Sequence, residues 1–324
     1  MNRPEFAILG AGAIGSILGA HLARAGHSVV MLARGGRAEQ VRKSGITIRG
    51  LADFTVPVPT ITDPRELRGA DVLIVATKTS GTEQALQPLR GADIGVAFSI
   101  QNGLGKNELL AHAFGAERVL GSLANTSGEL LANGDVLFTR NVNVLLGEPG
   151  GGDSPRAQRI AGTIDASGVR STAVPDIVSR EWTKFTGWAG LMCLAVTTRA
   201  PTWRYLSDPD SAFVLVRLVR EVAALAQSLG VELDEVDPLL PLPVILRGSE
   251  QEAIEALGQA GRDFKANAPE HRMSALQDLL AGRALEVEET LGYAVRKAAQ
   301  AKLSLPLLEG FYHLVAAIDR AQRG

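Results

Sequence analysis

The chain has 324 residues, 46% of them hydrophobic and 21% charged, so it can bury a substantial core and has the length of two domains. A formal net charge of −2, with basic residues scattered among acids, excludes the electrostatic footprint of a nucleic-acid or anionic-membrane binder. The single cysteine, Cys193, excludes an internal disulfide and fits a reducing compartment.

The opening "MNRPEFAILG" runs almost directly into a strand and lacks the apolar region and cleavage site of a signal peptide. No apolar run approaches the roughly 20 residues that span a bilayer, so a soluble, cytoplasmic protein with no membrane partner is expected. "EFAILG" predicts a strand, "GSILGAHLARAG" a helix stopped by Gly26, and "SVVML" a second strand. "ADVLIVAT" (70–77) and "IGVAFSIQNG" (94–103) repeat the pattern of an apolar run ending in a polar loop. Continuous apolar strands between helices predict a parallel sheet covered on both faces. From about residue 119 the texture changes: "VLGSLANTSGEL", "DVLFTR" and "NVNVLLGE" read as strands joined by turns, one of them at Asn133-Gly134. "GEPGGGDSP" (147–155) reads as a loop within the same domain. After it, "PRAQRIAGTIDASG" predicts a helix and "VRSTAVPDIV" an extended piece.

From about 179 the pattern is nearly all helical. "GLMCLAV" places Cys193 in a packed core. "DSAFVLVRLVREVAALAQSLG" carries Phe213, Val216, Leu218, Val222 and Leu225 at helical spacing and stops at Gly230. "AIEALGQAGRDF", "MSALQDLLAGRALEVEETLGYAVRKAAQAK" and "LPLLEGFYHLVAAIDRAQ" continue in the same manner. The expected fold class is therefore α/β: an N-terminal Rossmann-type dinucleotide-binding domain over 1–178 and an all-helical domain over 179–324. A cleft between two such domains is where a small-molecule site is expected. The five histidines show no metal-ligand spacing, and no metal is expected.

Gly10-Ala11-Gly12-Ala13-Ile14-Gly15 is a G-x-G-x-x-G loop that follows a strand and opens a helix at the start of a β-α-β unit. In that setting Gly10 makes the tight turn and Gly12 lets the backbone approach a pyrophosphate. Gly15 permits close packing, and the helix N-terminus faces the phosphates. The second strand ends in Arg34 where a ribose 2′-hydroxyl would favour a carboxylate. Its guanidinium suits a 2′-phosphate, so NADP(H) is expected over NAD(H). The alternative for Arg34 is a solvated loop residue. Arg37 and Lys43 are candidates for further charge nearby, and Lys78 would enter the same crevice.

The glycine loop with Arg34, "ATK" at 76–78, "QNGLG" at 101–105, "REWTKF" at 180–185 and "SALQDLLAGRALEVEE" at 274–289 together resemble the ketopantoate reductases over nearly the whole chain. The resemblance implies a cofactor site at Gly10 to Gly15 with Arg34 and Lys78 at the 2′-phosphate. It implies Ser127 beside the nicotinamide and Asn102 touching both cofactor and substrate. It further implies Lys184 as the catalytic lysine, Ser274 as a substrate ligand, and Glu286 as a partner of the lysine, the cofactor or a substrate hydroxyl. The implied reaction is NADPH-dependent reduction of a 2-keto acid. Hydride addition builds negative charge on the carbonyl oxygen, which an ammonium can stabilise and protonate.

The resemblance breaks on the lysine's own helix. Where the family has substrate-binding asparagines, one and two turns after the lysine, this chain has Trp188 and Met192, and Leu291 stands for a third. Residues four and eight along share the lysine's face, so Trp188 and Met192 are expected to meet substrate. One consequence is a bulkier, less polar ketone; the other is that Arg199, Thr202 or Arg204 supplies the missing contacts to ketopantoate itself. Two alternatives to the reductase are a non-catalytic NADP(H)-sensing module and a different hydroxy-acid or opine dehydrogenase. A homodimer through the helical domain is a further expectation.

Overall fold

The computed structural model describes residues 3–237 and 239–323. The chain divides between Val178 and Ser179 into two compact units. In the first unit the five-stranded sheet runs in the order β5-β2-β1-β6-β7, every neighbour parallel. Its strands are β1 (Phe6–Leu9), β2 (Val29–Leu32), β5 (Thr60–Ile61), β6 (Gly69–Val75) and β7 (Asp93–Ser99). Every residue of β1 and β2 is buried, because side chains alternate between faces and both faces are covered. Phe6, Ile8, Met31, Ile74 and Phe98 join one core; Ala7, Leu9, Val30, Leu73 and Val75 join the other.

The first core is closed by α1 (Ala13–Arg24), α5 (Pro155–Ala166) and a second sheet, and the other includes Leu110 of α4 (Lys106–Phe114) and Leu86 of the short α3 (Thr82–Leu86). The second sheet comprises β3 (Ile46–Gly50), β4 (Phe54–Val56), β8 (Gly121–Leu130), β9 (Val136–Gly147) and β10 (Ser171–Ala173), in the order β10-β9-β3-β4 with β8 on β9. Of these, β8, β9 and β10 fall on stretches that read as strands or extended chain, but β3 and β4 were not anticipated from the apolar pattern. β8 and β9 form an antiparallel hairpin around Asn133-Gly134, with irregularities between Ala124 and Thr126 and between Ser127 and Gly128. The short β3 and β4 alternate polar with apolar residues and pair only with one another and β9, so no long apolar run announces them. The remaining helix of the unit is α2 (Gly35–Ser44).

The second unit is helical, beginning within the first turn of α6 (Ile177–Thr198). There follow α7 (Thr202–Ser207), α8 (Pro209–Ser228), α9 (Leu242–Arg247), α10 (Glu250–Asn267), α11 (Ser274–Leu280), α12 (Leu291–Gln300) and α13 (Pro306–Arg323). Local chemistry sets the ends. Asp208 caps α8 by accepting from the Ser211 amide at 2.8 Å, and Gly230, at φ +73°, lies just past its end. Ser249 and Glu252 form a reciprocal capping box at α10. The carboxylate of Glu221 on α8 accepts from the first-turn amides of Leu307 and Leu308 on α13. Cys193 is fully buried, and burial pushes its thiol far above the ordinary range.

One helical expectation needs correction. The stretch 273–302 is not continuous: α11 ends at Leu280, Gly282 takes φ +68°, and α12 starts only at Leu291. The intervening turn is pinned by the buried Asp319 carboxylate, which accepts from the Leu285 amide at 2.8 Å. Among the described residues no helix is long and apolar enough to cross a membrane.

At the end of β1 the backbone of Gly10 takes φ +111°, and a Cβ there would lie 2.8 Å from the Ala76 carbonyl carbon and the Thr77 nitrogen. Gly10→Ala is therefore expected to cost about 2 kcal/mol or more from dihedral strain and overlap, lowering the melting temperature by roughly 4–8 °C for a unit of this size. A melt by circular dichroism that matched wild type would show that the two loops do not pack as described.

Candidate cofactor and catalytic sites

In the first unit the loops after β1, β2, β6 and β7 lie side by side at the carboxyl edge of the sheet. Gly10 N donates to Leu32 O, Ala76 N to Leu9 O, and Ile100 N to Val75 O. β1 lies between β2 and β6, so the strand order reverses beside it, and ligands of open α/β sheets bind at such a switch point. The glycines have distinct settings. A Cβ on Gly15 would overlap the Gly10 carbonyl oxygen and lie 2.9 Å from the Ala76 Cβ, so that site tolerates no side chain. A Cβ on Gly12 would meet only Ala76 O, at 3.9 Å, which leaves open space at the first residue before α1. No side chain caps that helix, so its leading amides can donate to phosphate oxygens. Ala11 is buried, with Ala13 and Ile14 half-buried around the turn. These residues fit a dinucleotide pyrophosphate.

Arg34 is exposed at the N-cap of α2, followed by Gly35 and Gly36. Arg37 is committed elsewhere: its guanidinium donates to Ala11 O at 3.0 Å, Ser16 Oγ at 2.8 Å, Gly134 O at 2.7 Å and Gln40 Oε1. It braces the glycine loop against α2 and the β8–β9 turn rather than offering free charge to a ligand. Burial lowers its pKa, opposed by the charge of Asp135. Lys43 lies in the last turn of α2, nine residues from Arg34 and hence about 13 Å along the helix, too far to share its ligand. Lys78 is exposed just past the end of β6.

Asn102 is half-buried in the loop between β7 and α4. That loop is held by two groups the sequence did not single out. The buried Gln101 amide donates to Thr77 O (2.9 Å), Thr77 Oγ1 (3.0 Å) and Thr82 Oγ1 (2.7 Å) while its oxygen accepts from Ser99. The buried Lys106 ammonium donates to Gln101 O at 3.0 Å and Ser122 O at 2.6 Å. Both adjoin the "QNGLG" stretch, which was the only available signal. Ser127 is exposed on β8 beside its irregularity, and a Cβ on the neighbouring Gly128 would lie 2.6 Å from Ile17 of α1.

In the second unit Lys184 is half-buried on α6, and Trp182, Phe185 and Trp188 of the same helix are buried. Phe185 and Trp188 stack with centroids 6.2 Å apart. Trp188 keeps 7% of its surface, but Met192 has none, and its sulfur accepts from the Thr290 hydroxyl at 3.8 Å. Met192 is thus a core residue behind Trp188, which corrects the expectation that it meets substrate. Leu291 is likewise fully buried. Thr202 is buried, with its hydroxyl bonded to His271 Nδ1 (2.9 Å) and Tyr205 (3.1 Å), and the Arg204 guanidinium lies 5.3 Å from the Trp203 ring centroid.

Ser274 is exposed at the first turn of α11. Glu286 is half-buried in the turn before α12, and its carbonyl oxygen accepts from the Thr290 hydroxyl. Burial, and then the charges of Glu286 and Glu288, raise the Glu289 carboxyl. Asp237 was not foreseen at all. Burial, the largest influence, pushes its carboxyl up to about 6, against the Leu239 and Leu240 amides and the charge of Lys184, which pull it down. In the sequence it is one acid of the loop "VELDEVD" and carries no signal. Among the described residues no group of three or more His, Cys, Asp or Glu side chains is arranged to hold a metal ion.

Comparison with known proteins places these sites in a family. The model for "Ketopantoate reductase PanE/ApbA" matches residues 6–151, and that for "Ketopantoate reductase PanE/ApbA C terminal" matches 176–319. A 2-dehydropantoate 2-reductase of Archaeoglobus fulgidus is 28% identical over 98% of this chain and 99% of that protein. The crystal structure of 2-dehydropantoate 2-reductase from Geobacter metallireducens has a TM-score of 0.81 at 26% identity, covering 96% of this chain and 99% of that one. D-mandelate dehydrogenase, in its ternary structure with NADH and anilino(oxo)acetate, shares the fold with a TM-score of 0.83 at 20% identity, over 98% and 99% of the two chains. With both family models matched in order along most of its length, the chain is a nicotinamide-dinucleotide-dependent oxidoreductase of Rossmann-like fold and belongs to the ketopantoate reductase family.

Proposed function

We propose that the protein reduces a 2-keto acid to the 2-hydroxy acid with NADPH, and that Lys184 provides the proton. When bound, the nicotinamide supplies hydride to the carbonyl carbon. The Lys184 ammonium stabilises the charge that grows on the carbonyl oxygen and transfers one proton to it, leaving a neutral amine and a hydroxyl group. Asn102 orients the carbonyl or the lysine, Ser274 holds the substrate, and Glu286 orients the lysine or a substrate hydroxyl. The single observation that carries this is a half-buried lysine on α6, within the stretch matched by the reductase family's C-terminal model. An ammonium is costly to keep in such surroundings unless it is used. A sensor would have no need of it.

For the cofactor, the exposed Arg34 at the start of α2, with no acid beside it, favours a 2′-phosphate. For the substrate, Trp188 and the buried Met192 and Leu291 replace amides. Thr202 has its hydroxyl engaged. A substrate bulkier and less polar than ketopantoate follows, since unpartnered polar groups cost several kcal/mol on burial while apolar area gains about 25 cal/mol per Å². D-mandelate dehydrogenase, which shares this fold, has been seen with an aryl oxoacetate.

Lys184→Ala is expected to lower kcat by about 100-fold or more with the fluorescence-measured NADPH affinity nearly unchanged. Full turnover in that variant would defeat the catalytic assignment. Arg34→Glu should reduce kcat/KM for NADPH by roughly 10- to 100-fold while sparing NADH, and equal losses with both cofactors would count against 2′-phosphate recognition. In a panel following NADPH absorbance, aryl and branched 2-keto acids should exceed 2-dehydropantoate in kcat/KM, and Trp188→Asn should narrow the gap. Preference for 2-dehydropantoate at micromolar concentration would sink the altered substrate.

A further inference from the structure

The loop after α8 is laid along α6 by a series of named contacts. Ser179 Oγ donates to Glu232 O at 2.6 Å, the Asp234 amide donates to Thr183 Oγ1 at 2.7 Å, and the Arg180 guanidinium pairs with the Asp234 carboxylate. The next charged pair, Arg247 with Glu235, closes at 2.7 Å. These contacts carry the chain to Asp237 opposite Gly187, whose missing side chain leaves room: a Cβ there would lie 3.3 Å from Asp237 Oδ2 and 3.3 Å from Leu240. Gly187 is three residues on from Lys184, so the two share a helix face. Asp237 Oδ1 is fully used, accepting from the Leu239 and Leu240 amides at 2.8 Å each. Oδ2 is left to face the helix.

We propose that Asp237 is a positioning residue for Lys184, its carboxylate keeping the neighbouring amine protonated between turnovers. This rests on Lys184 being the proton donor. Proton donation leaves Lys184 neutral at the end of each turnover. A fixed negative charge nearby draws the proton back. Of the other charged groups, Arg180 pairs with Asp234 and Arg247 with Glu235, while Glu181, buried one turn before Lys184 on the same helix, and Glu286, proposed above to orient the lysine, are further carboxylates of this unit. Lys184 is the charge that acts on Asp237, and with the carboxyl at about 6 it is ionised at neutral pH.

The price of this arrangement is visible in the sign of the shift. The folded-state value lies above the ordinary 3.8, so the folded state holds the proton more tightly. Stability is then full below about 4 and is lost as pH rises through about 6.

Asp237→Asn tests this cleanly, because its oxygen can still accept from the two amides and only the charge is removed. In 13Cε-lysine NMR of the full chain, with the Lys184 signal assigned by Lys184→Arg, its titration is expected to move down by about one pH unit or more in Asp237→Asn. Asp237→Glu should restore part of the shift. With NADPH and the best keto acid of the panel, the alkaline fall in kcat should move by the same amount. The melting temperature of wild type relative to that of Asp237→Asn should fall between about pH 4 and pH 6. An unmoved Lys184 titration in a folded Asp237→Asn, or in Asp237→Ser should the first variant fail to fold, overturns the coupling. A fully active Lys184→Ala overturns instead the assignment on which it rests.

Discussion

The first unit depends on two backbones meeting without side chains between them. Gly10 and Gly15 admit no Cβ because the Ala76 backbone and the Gly10 carbonyl already fill that space. That approach draws the ends of β1 and β6 together and sets the start of α1 over the reversal in strand order. Arg37 and Gln101 then hold the neighbouring loops, the first through Ala11 O and Gly134 O, the second through Thr77 and Thr82. Gln101 is buried and Arg37 half-buried, each with its partners supplied, which rigidifies a crevice at little net cost. Gly12 alone is left with open space, at the point where a phosphate would sit.

The helical unit keeps a half-buried lysine, Lys184, on the same helix as a cluster of buried aromatic side chains. On α6, Trp182, Phe185 and Trp188 are buried and pack on one another. The loop holding Asp237 and the acid-rich turn at Glu286, Glu288 and Glu289 place negative groups in the same unit, and both Asp237 and Glu289 have raised carboxyls. Burial of these carboxyls opposes their ionised forms, so neutral residues there would serve stability better.

Much of the fold was legible because periodicity and turn chemistry report burial directly. The strands β1, β2, β6 and β7, the β8–β9 hairpin at Asn133-Gly134, and α8 ending at Gly230 all followed from local pattern. Strands β3 and β4 of the second sheet were not legible, since they are short and gain what burial they have by pairing with one another and β9 and packing on α1. Nor was the break at Gly282, where a long amphipathic pattern continues across a turn that Asp319 pins from 34 residues away. Arg34 and Arg37 show the limit at the site. Both are arginines near the end of β2, and only packing reveals that Arg37 is a brace while Arg34 stands exposed.

What the sequence by itself determined was the class of chemistry: a glycine loop after a strand, an arginine where an acid would repel phosphate, and motifs in register with one enzyme family. These are local in the chain, so their meaning survives without coordinates. Tertiary structure decided which polar groups are spent on holding the fold and which remain for ligands. It assigned Met192 to the core and Lys106 to two carbonyl oxygens, and it set Asp237 opposite Gly187. Those outcomes depend on contacts between residues far apart in the chain, and no local pattern of charge or hydropathy encodes them.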